Sequence, residues 1–259
     1  MKIIVCVKQV PDTSGKVAVN PDGTLNRASM ATITNPDDLN AVEAALTLKE
    51  QTGAEVVVVS MGPPPAEGML REIQARGVDR AVLVSGREFG GSDTYATSQI
   101  LAAAINKIVM CGRQAIDGDT AQVGPQIAEK LGLPQVSYAA DIQKDGDTLT
   151  IKRMLEDGYM TIKVKTPCLV TCIKELNQPR YMSVDGIFEC YSKPYEVFDY
   201  NTLKDDPLID PTTIGLNGSP TNIFKSFTPP QKGVGMMLEG ADRATCDKLA
   251  GMLAAKHLI

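Results

Sequence analysis

The chain of 259 residues contains one histidine, His257, and it lies beside the C-terminus. A histidine-based triad or a histidine-rich metal site therefore cannot be assembled within one copy. Tryptophan is absent, so aromatic stacking falls to seven tyrosines and five phenylalanines. Neither the P-loop spacing nor a G-x-G-x-x-G run occurs, which removes the two common nucleotide fingerprints. Apolar runs such as VVVV at 56–59 are far too short to span a bilayer. The net charge is −5 and no basic stripe appears, which argues against nucleic acid and an anionic membrane surface, as the short apolar runs argue against membrane insertion. Six cysteines are scattered at 6, 111, 168, 172, 190 and 246 with no paired framework, the pattern of reduced thiols in a cytoplasm. Cys168 and Cys172 share one face of the strand-like run TPCLVTC, but no second pair follows at ligand spacing. They read as small core residues, and no metal site is expected.

What is present suits a folded domain. Hydrophobic residues make up 43% and charged residues 22%, enough for a substantial core in one large or two modest domains. MKIIVCVKQV has a short apolar centre but meets Gln9, Pro11 and Asp12 at once, so it reads as a strand and not a signal peptide. Four β-branched or apolar runs follow one pattern: 2–8, 54–60, 80–85 and 108–112. Helical segments separate them. In the first, Asn35 is the expected N-cap, Pro36 fits the first helical position, Asp37 and Asp38 suit the positive end of the dipole, and Gly53 ends it. The second runs through PPPAEGMLREIQARG, and the third is expected to be capped by Ser92. A small hairpin with an NPDG turn is expected over 17–28. This alternation implies a parallel sheet with helices on its faces. AAAINKI runs into VMCG with no turn residues, so a short segment near 107–109 is expected to be missing.

From about residue 141 the rhythm changes. DTLTIKRMLEDGYMTIKVK alternates about an EDG turn and implies an antiparallel hairpin. TPCLVTCI is one more strand. Prolines and glycines then become frequent until a terminal helix in ADRATCDKLAGMLAAKHLI. The expected division is a core over 1–183 and, over 184–259, an arm that must lie on the core or on another subunit.

Ligands of open α/β sheets bind beyond the carboxyl ends of the strands. The four loops there are QVPDT, MGPPP, GREFGGSDT and RQAIDGDTAQVG, rich in small residues that let a ligand approach free backbone amides. Pro125 leaves two versions of the last one. Either Thr120 caps a helix whose second turn is loosened, or the helix starts near Gly124 and 118–123 form a loop of exposed amides. Asp117 and Asp119 count against a simple anion site unless they cap the helix or bind ribose; Asp119 is assigned to capping. Chemistry alone reaches a nucleotide-like ligand without hydrolytic machinery.

Six segments carry a resemblance: VCVKQVPDT (5–13), NPDDLNAVEAAL (35–46), VVSMGPP (58–64), GRQAIDGDTAQVGPQIAE (112–129), VKTPCLVTCIKELNQPRY (164–181) and GSPTNIFKSFTP (218–229). Nearly end to end, the chain resembles the β subunits of electron-transferring flavoproteins. The resemblance implies an adenine nucleotide α hydrolase-like sheet and an α subunit partner that carries FAD. It also implies a nucleotide site in the cleft, holding structural AMP in some members and a second FAD in the electron-bifurcating ones. In those, NADH supplies two electrons that part to a high-potential acceptor, such as an acyl-CoA dehydrogenase, and to ferredoxin or flavodoxin. The complete GRQAIDGDTAQVGP run and GREFGGSDT resemble the bifurcating group. A nucleotide-binding enzyme or sensor is the rival reading.

By the same resemblance, Cys6, Val7, Asn35, Asp37, Asp38, Met61 and Gly62 touch the adenylate. Gln114, Ala115, Ile116, Gly118, Asp119, Thr120, Ala121, Gln122, Val123 and Gly124 form the phosphate, ribose and flavin surround. Arg113 either stabilises a reduced flavin or phosphate or makes an exposed ion pair. Glu88, Phe89, Gly90, Gly91, Asp93 and Thr94 are the NADH candidates, with Phe89 packing either on a ring or in the core. Val184, Ile187 and Phe188 belong to a loop that docks on a dehydrogenase. No catalytic side chain is expected, because the chemistry belongs to the cofactor.

Overall fold

The computed structural model describes residues 1–12, 31–105, 108–221, 233 and 235–259. The four expected strands form where the β-branched runs lie: β1 (Lys2–Cys6), β4 (Glu55–Met61), β5 (Arg80–Val84) and β6 (Ile108–Gly112). Between β1 and β4, β2 (Gln9–Pro11) and β3 (Thr32–Thr34) pair antiparallel as a separate two-stranded sheet. The hairpin expected over 17–28 lies outside the described residues, as do Asn106 and Lys107 at the abrupt junction before β6.

Helix α1 (Pro36–Thr52) follows, with Asn35 at its N-cap position, Pro36 leading, and Gly53 ending it at φ 67°. α2 (Ala66–Ala75), α3 (Thr94–Ala104) and α4 (Val123–Leu131) complete the crossovers. Asp93, not Ser92, caps α3: its carboxylate accepts from the Ala96 amide, while the Ser92 hydroxyl turns back to the Phe89 carbonyl. Aspartate one residue nearer the helix reaches the first free amides, and serine does not.

Beyond α4 come β7 (Gln135–Asp145), β8 (Thr148–Met154), β9 (Tyr159–Lys165) and β10 (Leu169–Cys172). β8 and β9 are the expected hairpin, closed by the Leu155 amide on the Gly158 carbonyl. β7 is a further antiparallel partner of β8. The short helix α5 (Val184–Glu189) precedes β11 (Tyr195–Phe198), which pairs parallel with β5 and extends the sheet at its edge. Two one-turn helices, α6 (Tyr200–Leu203) and α7 (Gly215–Gly218), end this stretch. Residues 184–221, set apart from the core in the sequence, thus share one compact unit with the sheet. A second unit holds α8 (Arg243–Ala254), capped by Asp242 and without a buried residue.

The nine strands run in the order β11-β5-β4-β1-β6-β10-β7-β8-β9, parallel as far as β7. Alternation along the strands sorts the core into two faces. Ile3, Val5, Val56 and Val58 pack with Ala41, Leu46, Leu70 and Ile73 of α1 and α2. Ile4, Cys6, Val57 and Val59 pack with Ile100, Leu101, Ile127 and Ala128 of α3 and α4. Each such aliphatic side chain contributes about 1.5–3 kcal/mol on burial. Because α1 and α2 cover one face and α3 and α4 the other, the winding reverses between β1 and β6. An open α/β sheet offers its crevice at that reversal.

Candidate functional site

The carboxyl ends of β1 and β6 are tied together by the first turn of α1. Asp38 is buried, and its carboxylate accepts from the Lys8 amide at 2.8 Å and from the Gly112 amide at 3.0 Å. It spans both strand ends. Burial pushes its carboxyl up to about 7, against the hydrogen bonds from Asn35 and these two amides, which hold it down. Gly112 is obligatory here, since a Cβ would lie 2.3 Å from the Asp38 carboxylate and 2.6 Å from the Asp37 carbonyl carbon.

Asn35 is fully buried and makes no side-chain cap of its helix. Its amide instead grips the next loop, donating to the Gln114 carbonyl at 2.8 Å and accepting from the Ile116 amide at 3.1 Å. Arg113 takes the ion-pair alternative: its Nε stands 3.4 Å from Asp37, and its side chain is 41% exposed. The Asp37 carboxyl is raised above its ordinary value by burial, with Arg113 opposing. Lys8 reaches over the crevice to Asp117, with Nζ 2.7 and 2.9 Å from the two carboxylate oxygens.

Helix α4 begins at Val123, so the version with a separate loop before Gly124 is the one formed. Asp119 does not cap it. Its carboxylate accepts from Gln114 Nε2 at 2.6 Å, and with Ala121 it adopts a left-handed backbone, φ 49° and 52°. That geometry turns the loop away from the helix axis before the helix starts. Among the described residues, the amides of Thr120, Ala121 and Gln122 have no protein partner. A left-handed residue followed by a right-handed one aims successive amides into one concavity, the form of a backbone anion nest. Gly118 faces open space, whereas a Cβ on Gly124 would meet Cys111 Sγ at 2.7 Å and Thr171 Cγ2 at 2.9 Å. Gly124 therefore seats α4 on the sheet.

Cys6 and Val7 are buried at the end of β1, and Met61 is half-buried at the end of β4. The Gly62 amide pairs with the Val84 carbonyl. Ser60, beside them, is buried with its hydroxyl unpartnered. The loop after β5 divides. Thr94 joins the crevice, its hydroxyl 3.1 Å from Gln122 Oε1. Asp93 is taken up by capping α3 and by the Thr221 amide. Phe89 is 2% exposed, 6.5 Å from the Tyr200 ring, so it is a core anchor and cannot stack on a ligand. Gly91, at φ 75°, fits beneath Leu216. Glu88 and Gly90 line a cavity of about 480 Å³ with Tyr200 and Gly215. Val184, Ile187 and Phe188 are exposed, Phe188 at 80%. Lys8 and Ser60 are additions: both fall inside segments that carry the resemblance, Lys8 two residues past β1 and Ser60 next to last in β4, but neither is singled out there as a site residue. Among the described residues no cluster of three histidine, cysteine or acidic side chains could hold a metal, and no helix is long and apolar enough to cross a membrane.

A family model described as the electron transfer flavoprotein domain matches residues 22–201. The acryloyl-CoA reductase electron transfer subunit gamma of Anaerotignum propionicum is 67% identical over 267 residues, covering 100% of both chains. A subunit of the caffeyl-CoA reductase–Etf complex of Acetobacterium woodii is 50% identical over 263 residues, covering 99% of this chain and 97% of its own. The electron transfer flavoprotein subunit beta of Clostridium acetobutylicum is 50% identical over 264 residues, covering 100% of both.

Proposed function

The chain belongs to the electron transfer flavoprotein family as a β-type subunit, and from that premise we propose that its crevice holds FAD and serves electron bifurcation. The observation that carries the nucleotide reading is the crevice itself. At the winding reversal, Asn35 and Asp38 hold two loops, and the amides of 120–122 remain free for phosphate oxygens. The fit extends to the unpartnered Ser60 hydroxyl and to the open space at Gly118. Reductase complexes named for two relatives support the bifurcating version over a purely structural AMP.

A flavin held there would take two electrons from NADH and release them singly to a high-potential flavin and to ferredoxin or flavodoxin. The chain's own residues position and shield. Thr120 to Gln122 would bind the diphosphate through main-chain amides. Cys6, Val7, Asn35 and Met61 would surround the adenosine. Arg113, half-exposed beside Asp37, would supply positive charge at the rim. Glu88, Gly90 and Thr94 remain the residues proposed to meet NADH. Partners are an α subunit carrying its own FAD and a flavin dehydrogenase of the acyl-CoA class. The dehydrogenase would dock on the exposed side chains of Val184, Ile187 and Phe188. Residues 184–259 are proposed to provide the partner contacts, α8 among them, in a cytoplasmic complex.

Co-expression with the α subunit, followed by a count of bound cofactors, tests this. Two FAD per heterodimer are expected. One FAD with one AMP would replace bifurcation by the structural reading. A complex with no nucleotide from this chain would overturn the assignment of the crevice.

A further inference from the structure

We infer that Arg180 is a positioning residue that pins the exposed docking segment 181–191 to helix α1; the inference rests on the docking reading proposed above. Residues 177–183 have no regular secondary structure, yet they lead directly into the most exposed apolar side chains near the sheet. Tyr181 is 89% exposed, Val184 71%, Phe188 80% and Tyr191 73%. Side chains that face water cannot hold their own backbone by burial. The six-residue helix α5 is also too short to be stable by itself. Something else must fix the segment before a partner arrives.

Arg180 does this with almost every polar group it has. Its amide donates to Glu43 Oε2 at 2.9 Å, and its carbonyl accepts from Arg76. Its Nε and Nη2 form a fork on the Glu43 carboxylate at 2.9 and 2.8 Å, and Nη1 reaches Glu50 at 2.6 Å. Glu43 and Glu50 lie two turns apart on one side of α1. The fork fixes orientation as well as distance, which a lysine ammonium cannot do. Burial alone would raise the Glu43 carboxyl, but the hydrogen bonds and charge of Arg180 more than offset this and hold it below its ordinary value. One turn earlier, Asn40 and Asn177 exchange side-chain hydrogen bonds to each other's backbone at 2.9 Å. The far end of the segment is held by Arg71, whose Nη1 donates to the Cys190 and Lys193 carbonyls and whose guanidinium lies 4.6 Å from the Tyr195 ring. Between the two arginines, Gly186 packs so close to the Ala75 carbonyl that a Cβ would stand 2.1 Å from it.

The consequence is specific. α1 carries Asn35 and Asp38 at one end for the crevice and Glu43 and Glu50 further along for the docking segment. Loss of Arg180 should free the segment without touching the crevice. An unpinned segment is competent to dock for only part of the time, and apparent affinity falls by that fraction.

The test uses the heterodimer with its α subunit and the variants Arg180→Ala, Arg180→Lys, Glu43→Gln and Phe188→Ser. Electron delivery to a purified acyl-CoA dehydrogenase is measured against its concentration, beside delivery to a small dye acceptor. Amide hydrogen exchange is followed over 181–191. Arg180→Ala is expected to raise KM for the dehydrogenase about tenfold, with kcat, dye reduction and bound nucleotide unchanged and with faster exchange in the segment. Arg180→Lys should fall between it and the parent. If Arg180→Ala does not assemble, Glu43→Gln breaks the same fork from the other side. A raised KM for Phe188→Ser with none for Arg180→Ala and Glu43→Gln would overturn the pin while leaving the docking surface in place. No change in any variant would overturn the docking surface and the pin with it. A parallel loss of dye reduction would also count against the pin, since it would mean general damage.

Discussion

Two glycines, Gly118 in the crevice loop and Gly124 in the first turn of α4, separate ligand contact from folding. Gly118 is exposed, has no atom within 4 Å of its Cβ direction and does not need a left-handed backbone. A leucine there should leave stability within about 0.5 kcal/mol of the parent, as surface substitutions do. It would nevertheless place a bulky side chain in the open space of the crevice loop, two residues before the free amides at 120–122. Gly124 is the opposite case. Its Cβ direction meets Cys111 Sγ at 2.7 Å and Thr171 Cγ2 at 2.9 Å, both in the interior. Overpacking of this kind costs about 1–3 kcal/mol, or about 2–12 °C in thermal midpoint for a chain of this size. The assay pairs thermal unfolding with quantitation of nucleotide released from the purified heterodimer. Gly118→Leu should lose the crevice nucleotide at an unchanged midpoint and keep the α-subunit flavin. Gly124→Val should lower the midpoint and lose nucleotide only as a consequence. Full nucleotide occupancy in Gly118→Leu would refute the idea that this loop grips the ligand.

Asp38 gives a pH signature. Its folded value of about 7 lies above the unfolded 3.8, so the folded chain takes up a proton that the unfolded chain lacks. The stability of the isolated chain should therefore fall as pH rises from about 4 to about 7. Denaturant midpoints for Asp38→Asn should lose that slope, and their baseline should drop by about 1–3 kcal/mol because one strand-end amide loses its acceptor. Phe89→Ala should cost about 3–5 kcal/mol, measured by denaturant unfolding, because the ring is core. Phe89→Leu should keep both fold and NADH oxidation, and loss of oxidation at full stability would return Phe89 to the ligand. Thiol titration of the isolated chain should label Cys246 alone, because the other five cysteines are buried and burial holds Cys6 near 12 and Cys168 near 11. Fast labelling of Cys6 or Cys111 would mean that the crevice floor opens.

Periodicity and caps located the parallel core well, because a fully buried strand must be apolar along its length and a crossover helix needs a start and a stop. Val56 to Val59, Pro36 and Gly53 are legible for that reason. β7 was not, since QVSYAADIQKD is buried only in part and looks like loop to any single-face pattern. β11 is four residues of half-exposed edge, and its partner β5 is more than a hundred residues away in sequence. At the site, the glycines and the loop were visible. The uses of polar side chains were not: Asn35 grips a loop and leaves its helix uncapped, Asp119 holds Gln114, and Lys8 crosses to Asp117. Such pairings depend on which strand ends become neighbours, and here that follows from a winding reversal between β1 and β6 that local patterns do not encode.

Four aspartates surround a crevice proposed to hold phosphates, and this placement needs a physical account. A free carboxylate about 4 Å from a phosphate charge would cost about 4 kcal/mol at an effective dielectric of 20, enough to cancel a typical nucleotide affinity by three orders of magnitude. None of the four is free. Asp38 spends its oxygens on two strand-end amides, and burial raises its carboxyl to about 7. Asp37 faces Arg113, Asp117 is held by Lys8, and Asp119 accepts from Gln114. Each carboxylate is thus engaged by a donor of the protein itself. The amides of 120–122, which no side chain claims, are the donors left over. The acidic character of the loop is therefore what shapes it, and the free main-chain amides are what would read the phosphates.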